Sequence, residues 1–492
     1  MPESRSRDAG TPIRTAIIGT GLAGLTTAYL LHNDERQRYH VTLLEQADSL
    51  SFDSASVAVK NHQTGVVERV DLPMRASAGG YYANLNRMYR HLGIPMHPVR
   101  FLFVFAKTLR PNMNGISTTP TQPNSKEYFV HASNHHQLPP PRPSGYGIFR
   151  YLLEVLYLVI CQLWFTVACF TIQPHSARET VANYLNRIWL PRRYITHYLL
   201  PLMSSVSTCT HAEFLVFPAG DLVGYVRLSY RQKHYTVCGG VRQVQAQLVR
   251  GIEKKTIRVR CRVLSVTPDS QTGRVTVRWQ DVWEDSDDTI ILCEEVFDRV
   301  VLAMSPDVVA RILKVPGVSE AMAIIPTVRV ESSVLAPADV SARYSIVEDR
   351  EGTGSAVCMH HSASESAPAQ VITLRTQFSG SQEFRGASQT EALHAMPSGV
   401  MVETCPLDGT KDQRVLKRAE FTRTLRTIVS RTIVEAVIGR VDVNIGWVNG
   451  QDNVWLAGSW CWDGMVLLEG CVVSAMRVAE DFGVCIPWKV KK

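Results

Sequence analysis

Several patterns that would assign a function directly are missing from this sequence of 492 residues. Its 11 cysteines fall at irregular spacings without a Cys-x-x-Cys pair, which argues against a zinc ribbon, a thioredoxin-like motif and a disulfide framework. We therefore interpret them as reduced, small apolar residues. There is no Asn-x-Ser/Thr sequon, and the first apolar run already contains a glycine loop, so no secretory signal peptide is predicted. These absences predict an intracellular protein, cytoplasmic or peripherally attached to a membrane, and not a secreted one.

The charge pattern excludes further classes of protein. The formal net charge of +7 is spread along the chain, and no Lys/Arg block carries the interleaved aromatics that follow a nucleic-acid strand. We expect no nucleic-acid partner. No Ser/His/Asp set, metal-ligand set or carboxylate pair stands out, and we predict no metal. His131, His135 and His136 lie in the segment 110–147, which is rich in Pro, Ser and Asn and is predicted to be a surface loop.

The N-terminal region follows the order strand, turn, helix, strand. Residues 13–18 (IRTAII) are predicted to form a short buried strand, 22–33 a helix and 40–45 (HVTLLE) a second strand. A glycine turn joins the first strand to the helix. This order is typical of a nucleotide-binding domain.

The glycine turn has the spacing of a dinucleotide-binding loop. Gly19 permits a tight turn, Gly21 leaves room for a pyrophosphate to approach the backbone, and Gly24 lets the helix pack on the strand. The helix N-terminus then offers free N–H groups and the positive end of its dipole to the phosphates. Glu45 ends the second strand, where a carboxylate can bind ribose hydroxyls and disfavours NADP. The sequence therefore predicts a dinucleotide site.

The length of the chain favours FAD over NAD. A simple NAD domain would be complete within about 150–200 residues, whereas strands of the same kind recur near residues 300 and 455. Residues 257–302 alternate in the manner of strands, with an acidic tip at 284–288. We expect one nucleotide-binding sheet to contain the strands near 18, 43, 260, 300 and 455.

Further motifs accompany the glycine loop. They are RVDLPM with Asp71, YYANLNRMYRHLGIP (81–95), YTVCGG (235–240), CRVLSV with Val263, FDRVVLAMSP (297–306), WLAGS (455–459) and LLEGCVVSA (467–475). Together with GTGLAG and Glu45, these motifs resemble the FAD-dependent amine oxidase and phytoene desaturase superfamily. The nearer likeness is to its branch of predicted NAD/FAD-binding oxidoreductases, whose fungal members are often found in secondary metabolism. The resemblance covers residues 13–95, 222–315 and 445–480.

The resemblance implies FAD as the cofactor and a C-terminal helix whose N-terminus faces the flavin. A positive helix end would stabilise the negative charge that a reduced flavin gains, and the backbone N–H of Leu468 is the candidate donor. The expected cofactor-binding residues are Gly19, Gly21, Leu22, Ala23, Gly24, Glu45, Gln46, Arg75, Val263, Gly458, Ser459, Leu468 and Glu469.

Two positions differ from the family pattern. Leu467 stands where amine oxidases place an aromatic residue before the Glu-Gly pair, which argues against an amine substrate. Residues 49–56 (SLSFDSAS) replace the usual Gly-Gly-Arg/His patch, so some contacts on the phosphate side are expected to differ.

The predicted fold class is α/β. A Rossmann-like FAD-binding domain with a mostly parallel sheet and a β-meander is interleaved with an α+β substrate-binding domain. Residues 411–438 are predicted to form a basic helical stretch within the second domain. The expected segments are FAD-binding 13–95, substrate 96–225, FAD-binding 226–318, substrate 319–440 and FAD-binding 441–485.

Residues 151–172 form one long apolar segment (YLLEVLYLVICQLWFTVACFTI). Its length suits a membrane span, but Glu154 and Gln162 interrupt it, and spanning would separate the two cofactor motifs. Three interpretations stay open: a helix in peripheral contact with a membrane, a wall of an apolar substrate cavity, and a buried core helix.

The expected activity is dehydrogenation of an apolar small molecule, such as a polyketide, terpenoid or lipid-like compound, with molecular oxygen or another electron acceptor. Hydride would pass from substrate carbon to flavin N5. The alternatives are a redox-neutral double-bond isomerase of a polyene or fatty acid and a non-catalytic flavin-binding protein. Candidate residues over the flavin are Arg75, Tyr81, Tyr82, Trp460 and Trp462. No general base is assigned.

Overall fold

The computed structural model describes most of the chain. The described ranges are 12–108, 125–132, 142–143, 145–281, 291–337, 343–347, 370–378, 388–407, 414–441 and 446–490. The predicted acidic tip at 284–288 lies outside them, as do His135 and His136.

Helices and strands are numbered in chain order. The helices are α1 (Leu22–His32), α2 (Ala83–His91), α3 (Ile148–Thr171), α4 (Val181–Arg187), α5 (Arg192–Tyr194), α6 (Leu200–Ser207), α7 (His211–Leu215), α8 (Ala219–Ser229), α9 (Arg242–Leu248), α10 (Pro306–Ile312), α11 (Val318–Ile324), α12 (Ile428–Val437) and α13 (Leu468–Asp481). The strands are β1 (Ile13–Ile18), β2 (Tyr39–Leu44), β3 (Val57–Asn61), β4 (Val67–Val70), β5 (Ser77–Ala78), β6 (Met96–Val99), β7 (Phe101–Thr108), β8 (Ser125–Ala132), β9 (His234–Val237), β10 (Ile257–Arg258), β11 (Cys261–Asp269), β12 (Arg274–Asp281), β13 (Ile291–Phe297), β14 (Arg299–Leu302), β15 (Thr327–Leu335), β16 (Tyr344–Val347), β17 (Gln370–Gln377), β18 (Gln389–Ala395), β19 (Met401–Thr404), β20 (Val415–Thr424) and β21 (Val454–Leu456). A π-helical segment, Ile195–Leu199, joins α5 to α6.

A five-stranded parallel sheet carries the N-terminal glycine loop. Its strand order is β10-β2-β1-β14-β21. The prediction that strands near 18, 43, 260, 300 and 455 share one sheet is therefore confirmed. Parallel pairing places the carboxyl ends of these strands at one edge, where ligands bind in open α/β sheets.

Alternate residues of the sheet face two different cores. Ile17, Leu43 and Val301 pack on one side against α1 and α13. Ile18 and Leu302 pack on the other side against the antiparallel meander β11-β12-β13 and against α10 and α11. The FAD-binding region is thus a three-layer structure, with helices on one face of the sheet and the meander on the other.

A seven-stranded mixed sheet forms the second region, in the order β20-β15-β19-β18-β17-β7-β8. Strands β7 and β17 lie far apart along the chain, but they are parallel neighbours in this sheet. Helix α6 packs on this sheet at β17 and β18. The chain segments on either side of the β-meander therefore build one second sheet, and β5, β9 and β6 form a separate three-stranded sheet.

Two predicted elements differ from the structure. Ser125–Ala132, within the predicted loop 110–147, is strand β8, which pairs with β7. Prolines and polar residues on both sides masked its alternating pattern. Within 411–438, Val415–Thr424 is a strand and only Ile428–Val437 is helical. The exposed residues of β20, which are Arg418, Glu420 and Thr422, alternate with less exposed ones, a pattern that a count of charges alone does not distinguish from a helix.

The cysteines correct one further expectation. The free cysteines in the described part of the chain are mostly buried, as an apolar role predicts, but Cys238 is disulfide-bonded. Irregular spacing gives no signal for such a bond, because a disulfide joins residues that are close in the fold rather than in the sequence.

Candidate functional site

The glycine loop lies at the carboxyl end of β1, in the middle of the parallel sheet. A Cβ on Gly19, whose φ is +97°, would lie 2.6 Å from the carbonyl oxygen of Ala303. A Cβ on Gly24 would lie 2.0 Å from the carbonyl oxygen of Gly19. A Cβ on Gly21 would meet no heavy atom within 4 Å. A side chain at Gly19 or Gly24 would clash with the backbone, whereas the space at Gly21 is free for a pyrophosphate to approach.

Helix α1 begins directly behind that open space. Gly21 is its N-cap residue, no side chain caps it, and its first turn has no acidic residue. The N–H of Leu25 donates to the carbonyl of Gly21 at 3.0 Å. The earlier N–H groups, those of Leu22, Ala23 and Gly24, have no intrahelical acceptor. The N–H groups of Leu22 and Gly24 offer an anion cradle at the positive end of the helix dipole, whereas the N–H of Ala23 is bonded to Cys471.

Glu45 follows β2, as predicted, and its carboxylate is also held by the chain. Its Oε2 atom accepts hydrogen bonds from the backbone N–H and the hydroxyl of Thr20, at 2.9 and 2.6 Å. Its Oε1 atom accepts from the N–H of Ala47 at 3.1 Å. An ionised carboxylate has about four acceptor positions, so both oxygens keep lone pairs for ribose hydroxyls. Gln46 is exposed beside it.

The backbone of Glu45 brings the β-meander to the same place. Its N–H donates to the carbonyl of Arg258 at 2.9 Å, and its carbonyl accepts from the N–H of Cys261 at 2.8 Å. The start of β11, and with it Val263, therefore lies next to Glu45. The contact of the Val263 backbone with an adenine stays a prediction.

The C-terminal motif folds as a strand, a turn and a helix. The N–H of Gly458 donates to the hydroxyl oxygen of Ser474 at 3.0 Å, which holds the turn against α13. A Cβ on Gly470 would lie 2.3 Å from the carbonyl oxygen of Ser459. Glycine is therefore required in the Glu-Gly pair for α13 to pack on the turn. Helix α13 begins at Leu468 without a side-chain cap, so its first N–H groups are open to a ligand.

The N-termini of α1 and α13 lie side by side. The thiol of Cys471, in the first turn of α13, is hydrogen-bonded by the backbone N–H of Ala23, at the start of α1. Burial raises the pKa of Cys471 to about 11, so this thiol is neutral. Two motifs that are separated by most of the sequence are thus adjacent in space.

Glu469 has a different environment from the one expected of a cofactor ligand. Its Oε1 accepts from the backbone N–H and the side-chain amide of Asn84, at 2.9 and 2.8 Å, and its Oε2 from the N–H of Leu85 at 3.0 Å. The carboxylate thus caps the N-terminus of α2. Burial raises the pKa of Glu469, although these hydrogen bonds oppose the shift. The side chain of Glu469 thus joins α13 to α2. Only its backbone, in the first turn of α13, lies next to the anion cradle of α1.

Arg75 and Leu468, which were both expected to bind the cofactor, line one crevice of about 260 Å³, including its opening to solvent. The guanidinium of Arg75 donates to the carbonyl of Phe52 at 2.9 Å and lies over the Phe52 ring, 4.3 Å from its centroid. Past Arg75 the crevice continues into a chamber of about 760 Å³, including its opening to solvent. The polar residues of this chamber include Asp71, His97, Gln370 and His394.

The chamber is lined by residues of two sequence motifs, RVDLPM and YTVCGG. The carboxylate of Asp71 accepts from the N–H of Val241, directly after the Gly-Gly turn, at 3.1 and 3.2 Å. Burial raises the pKa of Asp71, and the nearby Arg75 guanidinium opposes the shift. His394 bonds Gln370 at 2.7 Å, and burial lowers the pKa of His394 to about 4, so it is neutral. His394 is therefore a neutral polar group of the chamber, and Asp71 is bonded to the backbone N–H of Val241.

Aromatic side chains pack beside the start of α13. The ring of Tyr81 makes edge contacts with Tyr82, Tyr225 and Trp462, at centroid distances of 5.2, 4.8 and 5.9 Å. The Tyr81 hydroxyl and the Trp462 indole N–H both point to the carbonyl of Met465, at 3.4 and 2.9 Å. Burial raises the pKa values of Tyr81, Tyr82 and Tyr225, so these phenols stay neutral.

Trp460 differs from the other aromatic candidates. Its indole N–H donates to the carbonyl of Met304 at 2.8 Å, and its ring packs in the core that includes the meander. This environment favours a packing role. Sequence reasoning missed Arg426, a buried residue that donates to the carbonyls of Trp460, Trp462 and Gly464 at 2.9, 2.8 and 3.0 Å. It holds the loop before α13, and no motif marks it.

The residues present fit FAD. The decisive observation is the empty space in front of Gly21, since a dinucleotide pyrophosphate requires close approach at that glycine. Glu45 lies at the ribose end, and the α13 N-terminus and Arg75 lie along one crevice at the other end. Gly19, Gly21, Leu22, Ala23, Gly24, Glu45, Val263, Gly458, Ser459 and Leu468 would form this site.

Comparison with known families agrees with this arrangement. Residues 17–92 match the family described as NAD(P)-binding Rossmann-like domain. Residues 200–333 match the family described as Flavin containing amine oxidoreductase. A comparison with curated protein sequences finds no match.

Solved structures share the fold along nearly the whole chain. A CLA-producing fatty acid isomerase from P. acnes is similar with a TM-score of 0.56 and 12% identity, over 96% of this chain and 99% of that one. A cyclohexylamine oxidase from Brevibacterium oxydans IH-35A has a TM-score of 0.52 and 15% identity, over 96% and 100%. A putrescine oxidase variant with redesigned cofactor binding has a TM-score of 0.51 and 12% identity, over 96% and 99%. At these identities, the likeness establishes the fold.

Proposed function

Because this chain is a flavin-dependent oxidoreductase of the FAD-dependent amine oxidase superfamily, we propose that it dehydrogenates a carbon centre of an apolar small molecule. The substrate class is a polyketide, terpenoid or lipid-like compound of a biosynthetic pathway. Molecular oxygen or another acceptor takes the electrons onward.

The aromatic cluster beside the start of α13 carries this proposal. Tyr81, Tyr82, Tyr225 and Trp462 pack there as a mostly buried, neutral and largely apolar cluster, and Leu467 replaces the aromatic residue that amine oxidases place before the Glu-Gly pair. The buried carboxylate of Asp221, which is near Tyr81, is paired with Arg426 and Arg431. The binding free energy of an ammonium group would therefore be small here, whereas burial of an apolar carbon skeleton would be favourable.

Each group of the site has a defined task in this proposal. Bound FAD supplies the hydride acceptor, N5 of its ring system. The open space at Gly21 and the N–H groups at the start of α1 would hold the pyrophosphate. The positive end of α13, at Leu468, would stabilise the negative charge that a reduced flavin gains. The aromatic cluster excludes water and orients the substrate carbon.

A second candidate uses the same site without net oxidation. A double-bond isomerase would return the hydride to the substrate. We retain this reaction as the alternative because the fold is similar to that of a fatty acid isomerase. A third candidate is a non-catalytic flavin-binding protein.

Mass analysis of products separates these candidates. The gene is expressed with its genomic neighbours in a host, and metabolites are compared with those of a host that carries Gly21→Val. Loss of two hydrogens that depends on the intact gene supports dehydrogenation. A product of unchanged mass with a moved double bond replaces that proposal with isomerisation. Bound flavin that photoreduces but is not reoxidised by oxygen or by added acceptors would point to the non-catalytic protein.

A further inference from the structure

Helix α3 exposes an apolar face along its whole length. At 100° per residue, its exposed apolar side chains cover an arc of about 160° on a helix of about 36 Å. Within the described residues it is the one helix long and apolar enough to cross a membrane, yet only 28% of its most apolar window is buried. We call this surface the α3 face; its residues are Ile148, Phe149, Leu152, Leu153, Leu156, Val159, Ile160, Leu163, Trp164, Val167 and Phe170.

The two polar residues that interrupt the run are bonded to the protein. Glu154 is buried, pairs with Arg193 at 2.7 Å and accepts a hydrogen bond from Tyr198. The side-chain oxygen of Gln162 accepts from the hydroxyl of Tyr194 at 2.5 Å. Both contacts reach the α5 region, so the helix lies along the domain instead of projecting from it.

Aromatic residues extend the α3 face sideways. Trp189 is 88% exposed, in the turn after α4. The indole N–H of Trp164 donates to the carbonyl of Ile188 at 2.8 Å, which places Trp189 next to the helix. At the other end, the ring of Phe170 makes an edge contact with Tyr230 at 5.4 Å. Exposed Trp and Tyr at the border of an apolar surface are typical of membrane interfaces.

The charge around the α3 face is one-sided. Residues 142–233 contain nine Lys and Arg residues and four Asp and Glu residues. All four carboxylates are engaged: Glu154 with Arg193, Glu179 with Arg187, Glu213 with the N-cap Thr210, and Asp221 with Arg431. The exposed cations include Arg150, Arg178, Arg227, Arg231 and Lys233. Arg150 and Arg227 lie over aromatic rings close to the two ends of the helix.

We propose that the α3 face inserts in the plane of an anionic lipid bilayer, with these arginines and Lys233 at the headgroups. An in-plane helix has an apolar face, a polar edge rich in Lys and Arg, and Trp at the boundary, and all three features occur here. A second copy of the chain would bring two sets of exposed cations together, which like-charge repulsion disfavours. A spanning helix would have to separate Glu154 from Arg193.

Vesicle flotation tests the proposal with the FAD-loaded protein. Wild type should float with vesicles of phosphatidylcholine and phosphatidylserine at low salt, and less with phosphatidylcholine alone or at high salt. Leu156→Glu with Val159→Glu should reduce the bound fraction at least about tenfold. The matched control is Leu292→Glu with Val429→Glu, which adds the same charge at residues 69% and 55% exposed on other surfaces and should leave flotation unchanged.

A second measurement does not depend on the double variant folding. Brominated lipid should quench the tryptophan fluorescence of wild type more than that of Trp189→Phe, because Trp189 would lie at the acyl boundary. Equal quenching, or equal flotation of both double variants, would overturn the proposal. So would a dimer in ultracentrifugation that forms without vesicle binding and dissociates in the α3 variant. Retention of wild type on carbonate-washed membranes would show that the helix spans instead.

Discussion

Single residues decide whether the site can hold a dinucleotide. The space in front of Gly21 is the clearest case, because glycines at 19 and 24 are explained by contacts with the protein itself, whereas that at 21 is not. Gly21 also stands at the uncapped N-terminus of α1, directly after β1, where a ligand phosphate would bind, so we attribute this glycine to a ligand. This observation leads to a substitution with a matched control.

Gly21→Val should abolish FAD binding while leaving the protein folded. The added side chain fills the space that the pyrophosphate needs, and its Cβ meets no protein atom within 4 Å. Gly224→Val, on α8, is the control, since its Cβ also meets nothing within 4 Å and its backbone also needs no glycine. Fluorescence titration of apo protein with FAD measures both variants. Similar affinities of the two variants would contradict the assignment of the loop.

Glu45→Ala should weaken FAD binding by about 1–3 kcal/mol, because charge-assisted hydrogen bonds to the ribose are lost. Thr20→Val removes a hydrogen bond to the same carboxylate but keeps the charge, and should have a smaller effect. Calorimetric titration with FAD distinguishes them. If Glu45→Ala binds FAD as tightly as wild type, the ribose contact is assigned wrongly.

A buried carboxyl pair in the seven-stranded sheet predicts a pH dependence of stability. Burial and the neighbouring Glu391 raise the pKa of Glu403 to about 8, while Glu391 pairs with Arg375 at 2.8 Å. The folded protein thus binds this proton more tightly than the unfolded chain. The contribution of Glu403 is fully present below its ordinary pKa of 4.5 and is lost as pH rises through about 8.

Glu403→Gln keeps a neutral side chain and should flatten this dependence. The measurement is the free energy of unfolding in urea at about pH 5 and about pH 9. Glu420→Gln, at an exposed position of β20, is the control and should keep the wild-type difference. An unchanged difference in Glu403→Gln would mean that Glu403 is ionised throughout.

At the scale of elements, the contact between α13 and α2 organises the cofactor side of the molecule. Glu469 caps α2 from 385 residues away along the chain. Its Glu-Gly motif therefore has two roles: the glycine permits the close approach of α13, and the glutamate fixes the helix that begins just after Tyr82.

Glu469→Gln should destabilise the protein by about 1–3 kcal/mol, because the amide group faces N–H donors that lose their charged acceptor. The loss should occur in both apo and FAD-loaded protein. Glu480→Gln, at an exposed position of the same helix, should change stability by less than about 0.5 kcal/mol. Unfolding in urea measures both. A loss of FAD affinity without any loss of apo stability would return Glu469 to the role of a cofactor ligand.

Elements with a strong local pattern could be predicted from the sequence. The glycine loop, α1 and α13 have apolar residues and turn residues at spacings that identify them. Strands β8 and β20 could not, because each is stabilised by a partner strand that lies elsewhere in the sequence. The role of Arg426 could not be predicted either. It donates to backbone carbonyls, which every residue has, so no residue type in the sequence indicates its partners.

At the scale of the whole molecule, the FAD-binding sheet is completed only by the end of the chain. β1 lies between β2 and β14, and β21 closes the sheet from residue 454. The seven-stranded sheet is assembled from segments on both sides of the meander in a similar way. The predicted domain bounds stay predictions, but the interleaved order explains why both cofactor motifs meet at one edge.

The most direct test of the account is the cofactor content of the purified protein. We predict a yellow protein that releases FAD, identified by chromatography after denaturation, and not FMN or NAD. Excess FAD at about 100 times its dissociation constant should stabilise the apo protein by roughly 2.7 kcal/mol, and should not stabilise Gly21→Val. A colourless, folded protein that takes up no FAD would contradict the central claim.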